Sequence, residues 1–204
     1  MAGILVTGGA GFIGSNLAHA LVARGDQVTI LDNLSTGRLA NLHGIRDRIR
    51  LVEGSFADRD VVESALDGID AVLHQGALPS VPKSLSLPLE TNEANVVGTL
   101  VLLEASRQAN VSRFVYAASS SAYGDHDAQF KEESLEPRPK SPYAVQKLTG
   151  EMYCRVYHNL FNLPTIALRY FNVFGPRQNP ASEYAADIPA FVTRMLEGLP
   201  PVIF

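Results

Sequence analysis

Short apolar runs rich in Val and Ile alternate along the chain with longer segments of helical period. The runs Ile4–Thr7, Gln27–Leu31, Ile49–Glu53, Ala71–His74, Arg113–Ala118 and Thr165–Tyr170 predict strands. They are nearly continuous in apolar character instead of alternating, which suits parallel strands covered on both faces. The segments Phe12–Arg24, Asp60–Leu66, Glu90–Gln108, Pro142–Phe161 and Pro189–Glu197 predict helices. This strand–helix alternation predicts an α/β fold with a doubly wound parallel sheet. The Pro-containing stretches Leu78–Pro88 and Leu135–Pro142 read as loops above the strand ends. Near the end, Val202–Phe204 has the character of one more strand opening.

Composition narrows the class. The 204 residues suffice for one substantial core and the start of a second. Apolar residues make up 46% and charged residues 19%, as in ordinary soluble globular proteins. A net charge of −4 gives little drive toward nonspecific nucleic-acid binding. No apolar run approaches the ~18 residues of a membrane helix. The chain enters a strand at Gly3–Val6 with no basic segment before it, so no signal peptide is expected. The single cysteine, Cys154, cannot form an intramolecular disulfide and reads as a packed helix residue. That usage fits a reducing compartment, and a cytoplasmic location is expected. His19, His43, His126 and His158 show no metal-ligand spacing with Cys154 or the carboxylates, and no metal is expected. His74, at a strand end, reads as a structural histidine.

The first strand runs into Thr7-Gly8-Gly9-Ala10-Gly11-Phe12-Ile13-Gly14. Gly8 permits a tight turn, Gly11 lets a pyrophosphate approach the backbone, and Gly14 lets the following helix pack closely. The N–H groups at that helix start face the anion. A glycine-rich turn without a ligand would carry the same pattern, but strand and helix flank this one in the required order. The second strand ends at Asp32, where a carboxylate can accept from both ribose hydroxyls. It would repel a 2′-phosphate, so NAD is favoured over NADP. Arg38, a few residues on, reads as a solvated loop charge.

Ser141-Pro142-Tyr143-Ala144-Val145-Gln146-Lys147 reads as a helix start, with Ser141 as cap and Pro142 in the first turn. Tyr143 and Lys147 are four apart and share a helix face. A nearby ammonium and a positive nicotinamide would lower the phenol's pKa, so that the phenolate can take a proton from a hydroxyl. The fifth strand ends in Ala117-Ala118-Ser119-Ser120-Ser121-Ala122-Tyr123-Gly124, placing hydroxyls in the crevice at the carboxyl ends of the strands. Each feature has a bland alternative, a packing tyrosine, a snorkelling lysine or a serine-rich turn. Their joint order is harder to attribute to chance.

Taken together, these motifs resemble the extended short-chain dehydrogenase/reductases, and within them the nucleotide-sugar 4-epimerases. The resemblance rests on Gly8–Gly14, Asp32, His74–Ala77, Asn95–Thr99, Ser119–Gly124, Tyr143–Lys147 and Arg169–Asn172. It implies a Rossmann NAD-binding domain carrying the catalytic residues over residues 1–180, and over 181–204 the start of a substrate-binding region that is cut short. It further implies that Ser119, Tyr143 and Lys147 are catalytic. Gly8, Gly11, Phe12 and Ile13 would meet the cofactor phosphates, and Asp32, Asn33, Ser35, Thr36 and Gly37 the adenosine ribose. Ser55 and Phe56 would lie near the adenine, followed by Gln75, Gly76 and Ala77 along the cofactor. Asn95, Ala117, Tyr143, Lys147, Tyr170 and Val173 would line the nicotinamide side. Ser80, Val81, Ser119, Ser120, Tyr143, Asn172 and Ala185 would meet the substrate. There are two departures. Ser55 stands where the family usually has an aspartate near the adenine, and Gln75-Gly76 replace its usual alanine after the histidine.

The sugar 4,6-dehydratases of this family carry an Asp–Glu pair just after the catalytic Ser/Thr, and decarboxylating members a glutamate. Those positions are Ser120 and Ser121 here. Without carboxylates, elimination lacks its acid and base. What remains is oxidation at C4 of a UDP-sugar, rotation of the ketone, and return of the hydride to the other face. Ser80–Ser84, Ser119–His126 and Arg169–Asn179 with Tyr184-Ala185-Ala186 resemble bacterial UDP-N-acetylglucosamine 4-epimerases, with UDP-glucose/UDP-galactose as the close alternative. A reductase or dehydratase of the same family, or an NAD-binding fragment without turnover, are the competing readings. The long helices at Glu90–Gln108 and Pro142–Phe161 are expected to pair across a two-fold axis in a homodimer, as in the family.

Overall fold

The computed structural model describes residues 1–179 and 187–200. Strands β1 (Gly3–Thr7), β2 (Gln27–Asp32), β3 (Ile49–Glu53), β4 (Ala71–His74), β5 (Arg113–Ser119) and β6 (Thr165–Tyr170) form one sheet in the order β3-β2-β1-β4-β5-β6. Every neighbouring pair is parallel. Thr7 stands level with Leu31 on one side and His74 on the other, so the chain leaves the three central strands at one height. The order reverses between β1 and β4, and a crevice opens there beyond the strand ends.

The helices are α1 (Phe12–Arg24), α2 (Arg59–Ala65), α3 (Val81–Ser86), α4 (Pro88–Asn92), α5 (Gly98–Gln108), α6 (Pro142–Phe161) and α7 (Asp187–Leu196). Continuous apolar strands are explained by cover on both faces. All five residues of β1 are buried. Its Ile4 and Val6 point into one core with Ile30, Ala18 and Val22. Leu5 points into the other, with Val62, Leu102, Phe114 and Cys154. Each fully buried Leu, Ile or Phe stabilises by roughly 1.5–3 kcal/mol. Among the described residues β6 is the last strand at this edge, where Ile166 and Leu168 are 42% exposed.

Two expectations need correction. Leu78–Pro88 is not simply a loop, because Ser80 caps α3, its oxygen accepting from Lys83 N–H at 2.8 Å, with a proline in the first turn. The helix expected over Glu90–Gln108 starts earlier and is interrupted: α4 passes into a π-helical turn, Glu93–Val97, before α5. Tertiary bonds hold that turn: the Asn95 side chain bonds the Leu78 backbone and donates to Gln146 Oε1, while the Asn95 backbone carbonyl accepts locally from the Thr99 hydroxyl. Val202–Phe204 and Ala185 lie outside the described residues.

Candidate active site

A cleft of about 1640 Å³ lies across the carboxyl ends of the strands. At one end Gly8, with φ +63°, turns the chain out of β1; an added Cβ would fall 2.7 Å from the Gly76 Cα. A Cβ on Gly14 would fall 2.2 Å from the Gly8 carbonyl oxygen, so only glycine lets α1 approach this closely. Gly11 caps α1 without a side-chain acceptor, and the first turn holds no acidic residue. The first-turn N–H groups therefore keep their donors for a ligand.

Asp32 is buried at the tip of β2. Its carboxylate accepts from Ala10 N–H at 2.9 Å and Leu34 N–H at 2.8 Å, bracing the glycine loop against the turn after β2. Ser55 holds its own turn, its hydroxyl oxygen accepting from Ala57 N–H at 3.1 Å. The Phe56 ring fills the space that glycines leave at 76 and 98, where an added Cβ would come within 2.6 Å of it, and it meets His74 edge-on at 5.1 Å.

A buried polar chain runs behind the cleft. Gly76 N–H donates to Thr7 Oγ1 at 3.1 Å, and Thr7 Oγ1 lies 2.6 Å from His74 Nδ1. Thr99 Oγ1 lies 3.0 Å from His74 Nε2 and donates its one hydrogen to the Asn95 carbonyl at 2.7 Å. Thr99 therefore accepts from His74, which fixes the proton on Nε2 and leaves Nδ1 to accept from Thr7. Burial, and the neighbouring Lys147, hold His74 down at about 3, so it stays neutral.

Ser119, at the end of β5, is 3.2 Å from the Ser121 N–H and 2.8 Å from the Ser121 hydroxyl, both of which donate to it. Tyr143 and Lys147 come from the first turns of α6, where Ser141 caps the helix and Pro142 opens it. Lys147 is 4% exposed, its Nζ 4.7 Å from the centre of the Tyr116 ring, and burial brings it down to about 8. The ring fits beneath α6 because position 150 is glycine; a Cβ there would lie 2.3 Å from the Tyr116 hydroxyl oxygen. The Tyr143 phenol departs from the expectation of a lowered pKa. In the chain by itself, burial raises it and the Ser119 hydroxyl offsets this in part.

The cleft gathers nearly all of the residues singled out in the sequence, from Gly8 through Asp32, Gly76 and Ala117 to Tyr170, Asn172 and Val173. Asn95 and Ser80 are not among its lining residues. Both are buried, Ser80 capping α3 and Asn95 bridging Leu78 to Gln146 Oε1. Sequence reasoning named Ser121 but gave it no part in the site, and it gave none to Gln146 or Arg177. A Ser-x-Ser at a strand end was a legible signal for the first. Gln146 is buried one residue before Lys147 and donates to Thr91 Oγ1 at 3.0 Å, and no local pattern announces that. Among the described residues there is no group of three or more His, Cys, Asp or Glu able to hold a metal.

These features fit a dinucleotide. There is an uncompensated helix start beside a glycine cradle, a carboxylate at the β2 tip, and a cleft-lining Gln75 whose buried Oε1 has no partner. Residues 4–204 match the NAD dependent epimerase/dehydratase family. The chain belongs to this family. One relative, a putative UDP-glucose 4-epimerase of Methanocaldococcus jannaschii, is 37% identical over 98% of this chain and 65% of its own length. Among solved structures, the UDP-N-acetylglucosamine 4-epimerase of Methanobrevibacter ruminantium M1, in complex with UDP-N-acetylmuramic acid, superposes with a TM-score of 0.94. It is 41% identical over all of this chain and 65% of that one. DesIV, a dTDP-glucose 4,6-dehydratase of Streptomyces venezuelae with NAD bound, gives a TM-score of 0.87 at 36% identity, over 96% of this chain and 62% of that one. The chain thus spans just under two thirds of these family members, and the family's cofactor is NAD.

Proposed function

We propose that the protein catalyses NAD-dependent 4-epimerisation of a UDP-sugar through a 4-keto intermediate. The substrate pair is UDP-N-acetylglucosamine/UDP-N-acetylgalactosamine or UDP-glucose/UDP-galactose. The observation that carries this reading is the set Ser119, Tyr143 and Lys147 facing one cleft, with serines at 120 and 121 where elimination would require carboxylates. NAD, when bound, accepts and later returns the hydrogen of the sugar C4 as hydride. Tyr143 takes the C4 hydroxyl proton as the C4–H bond breaks and gives it back when the ketone is reduced. Ser119 donates to the same oxygen. Lys147 supplies positive charge that favours the phenolate, with the charge of the oxidised nicotinamide adding to it. Because the hydride would return to C4, the sugar is neither oxidised nor reduced overall, and because it would return to the opposite face, C4 is inverted.

Gly8, Gly11, Phe12 and Ile13 hold the cofactor phosphates in this reading, and Asp32, Asn33, Ser35, Thr36 and Gly37 the ribose. Val81, Ser120 and Asn172 face the substrate. Residues 1–180 form the cofactor domain, and 181–204 begin the substrate region. The protein is cytoplasmic and homodimeric in this account. Support comes from the lone buried thiol of Cys154 and from one face of α6, where Val145, Met152, Val156 and Leu160 are exposed. The test is to supply NAD and each UDP-sugar in turn and follow the anomeric proton signals. Conversion to the C4 epimer is expected. Loss of water from the sugar would replace the proposal with a dehydratase, and net formation of NADH with an oxidoreductase that releases its reduced cofactor.

A further inference from the structure

The segment that follows β6 returns to the helix that opens the glycine loop. Asn16, on α1, is the fastener. Its Nδ2 donates to the Phe12 carbonyl and to the Pro176 carbonyl, each at 2.9 Å, while its Oδ1 accepts from Arg177 Nη2. Arg177 is thereby held one turn from the start of α1, on the wall of the cleft. Two features of Arg177 are not explained by packing. Its φ is +67°, a left-handed conformation that is unfavourable for a side chain of this kind by roughly 1–2 kcal/mol. Its Nε is buried and has no hydrogen-bond partner. Among the described residues, no carboxylate pairs with the guanidinium. A buried donor on a permanent cation, left open and kept in a strained backbone, calls for an anion.

We infer that Arg177 clasps a diphosphate ester, and that the ester is the cofactor's, completing the cradle that the first-turn N–H groups of α1 begin. The assignment rests on the NAD reading of the cleft. Two diphosphates enter such a cleft, that of the dinucleotide and that of the sugar nucleotide. Asn16 selects the first, because it ties the guanidinium to the helix start where the uncompensated N–H groups stand. A guanidinium presents several donors in a planar fork that suits phosphate oxygens.

The experiment is calorimetric titration of the 204-residue protein, and of Arg177→Gln and Arg177→Lys, with NAD, ADP, adenosine and UDP. For Arg177→Gln, ADP and NAD are expected to bind about tenfold or more weakly, as befits a charge-assisted hydrogen bond. Adenosine, which lacks the diphosphate, should bind unchanged. Arg177→Lys should recover part of the loss, and raising the salt concentration should narrow the gap between wild type and Arg177→Gln for ADP and NAD but not for adenosine. Equal weakening of ADP and adenosine would assign Arg177 a structural role and overturn the inference. So would unchanged ADP binding, or a loss confined to UDP. If the wild-type protein binds neither NAD nor ADP, the cofactor reading falls as well. If it binds both and Arg177→Gln binds them equally, only the clasp is lost.

Discussion

The Ser121 hydroxyl donates to the Ser119 oxygen at 2.8 Å, and the Ser121 N–H reaches the same oxygen at 3.2 Å. Two donors on one hydroxyl leave Ser119 with its own hydrogen to give, and Tyr143 is the neighbour on which the Ser119 hydroxyl acts. Ser119 is thus prepared as a donor before any substrate arrives.

That polarisation separates two serines that look alike in the sequence. Ser119→Ala removes the group that touches the reacting oxygen, and turnover should fall by about 10²-fold or more, the usual worth of a positioned proton-transfer partner. Ser121→Ala leaves Ser119 in place with one donor fewer, and the loss should be about tenfold or less. Steady-state rates with NAD present distinguish them. Equal losses would mean that Ser121 touches the substrate itself.

Lys147 makes the ligand-free protein's stability depend on pH. Its folded value of about 8 lies below the ordinary lysine value of 10.5. Below pH 8 the ammonium is charged in both states, and burial penalises the folded one in full. Between pH 8 and 10.5 the folded protein has released this proton while the unfolded chain retains it, so stability rises with pH through that window. Lys147→Met removes the charge. Its stability advantage over wild type should be complete below pH 8 and shrink by about 3 kcal/mol toward pH 10.5, at 1.4 kcal/mol per unit. Taking the difference between the two proteins removes the titrations that they share. Denaturant melts from pH 7 to 10.5 measure it, and a constant difference would contradict the buried ammonium.

Asp32 has two tasks, and substitution should reveal both. Its carboxylate holds Ala10 N–H and Leu34 N–H, so Asp32→Ala strands two donors and should lower stability by about 1–3 kcal/mol. The same variant should narrow the preference for NAD over NADP, because the negative charge facing a 2′-phosphate is gone. Comparative titration with the two cofactors, alongside thermal melts, tests both. A wild-type protein that prefers NADP would contradict the role given to Asp32.

What was legible in the sequence follows from how local the cause is. The strands were readable because β1 and β2 are buried on both faces, and that requires unbroken apolar runs. α1 and α6 were readable from their ends: Gly25 at φ +93° and Asn162 at φ +56° terminate them, and Ser141 caps α6. The π turn at Glu93–Val97 was not readable, because the partners that hold Asn95, the Leu78 backbone and Gln146, are distant in the chain. α3 was hidden by its proline, although Ser80 ahead of Pro82 was a usable start signal. The glycine loop, Asp32 and the Tyr-x-x-x-Lys pair were visible as motifs. The raised phenol of Tyr143 was not, since it depends on burial in the assembled cleft. Arg177 was equally hidden, its place fixed by an amide 161 residues away.

The central claim is that one hydrogen leaves C4 and comes back to C4. The direct test uses UDP-N-acetylglucosamine and UDP-glucose carrying deuterium at C4, with the protein and NAD in ordinary water. The account predicts an epimerised product that keeps its deuterium at C4, with no accumulation of reduced cofactor. Deuterium lost to solvent, found at another carbon, or retained on released reduced cofactor would contradict it.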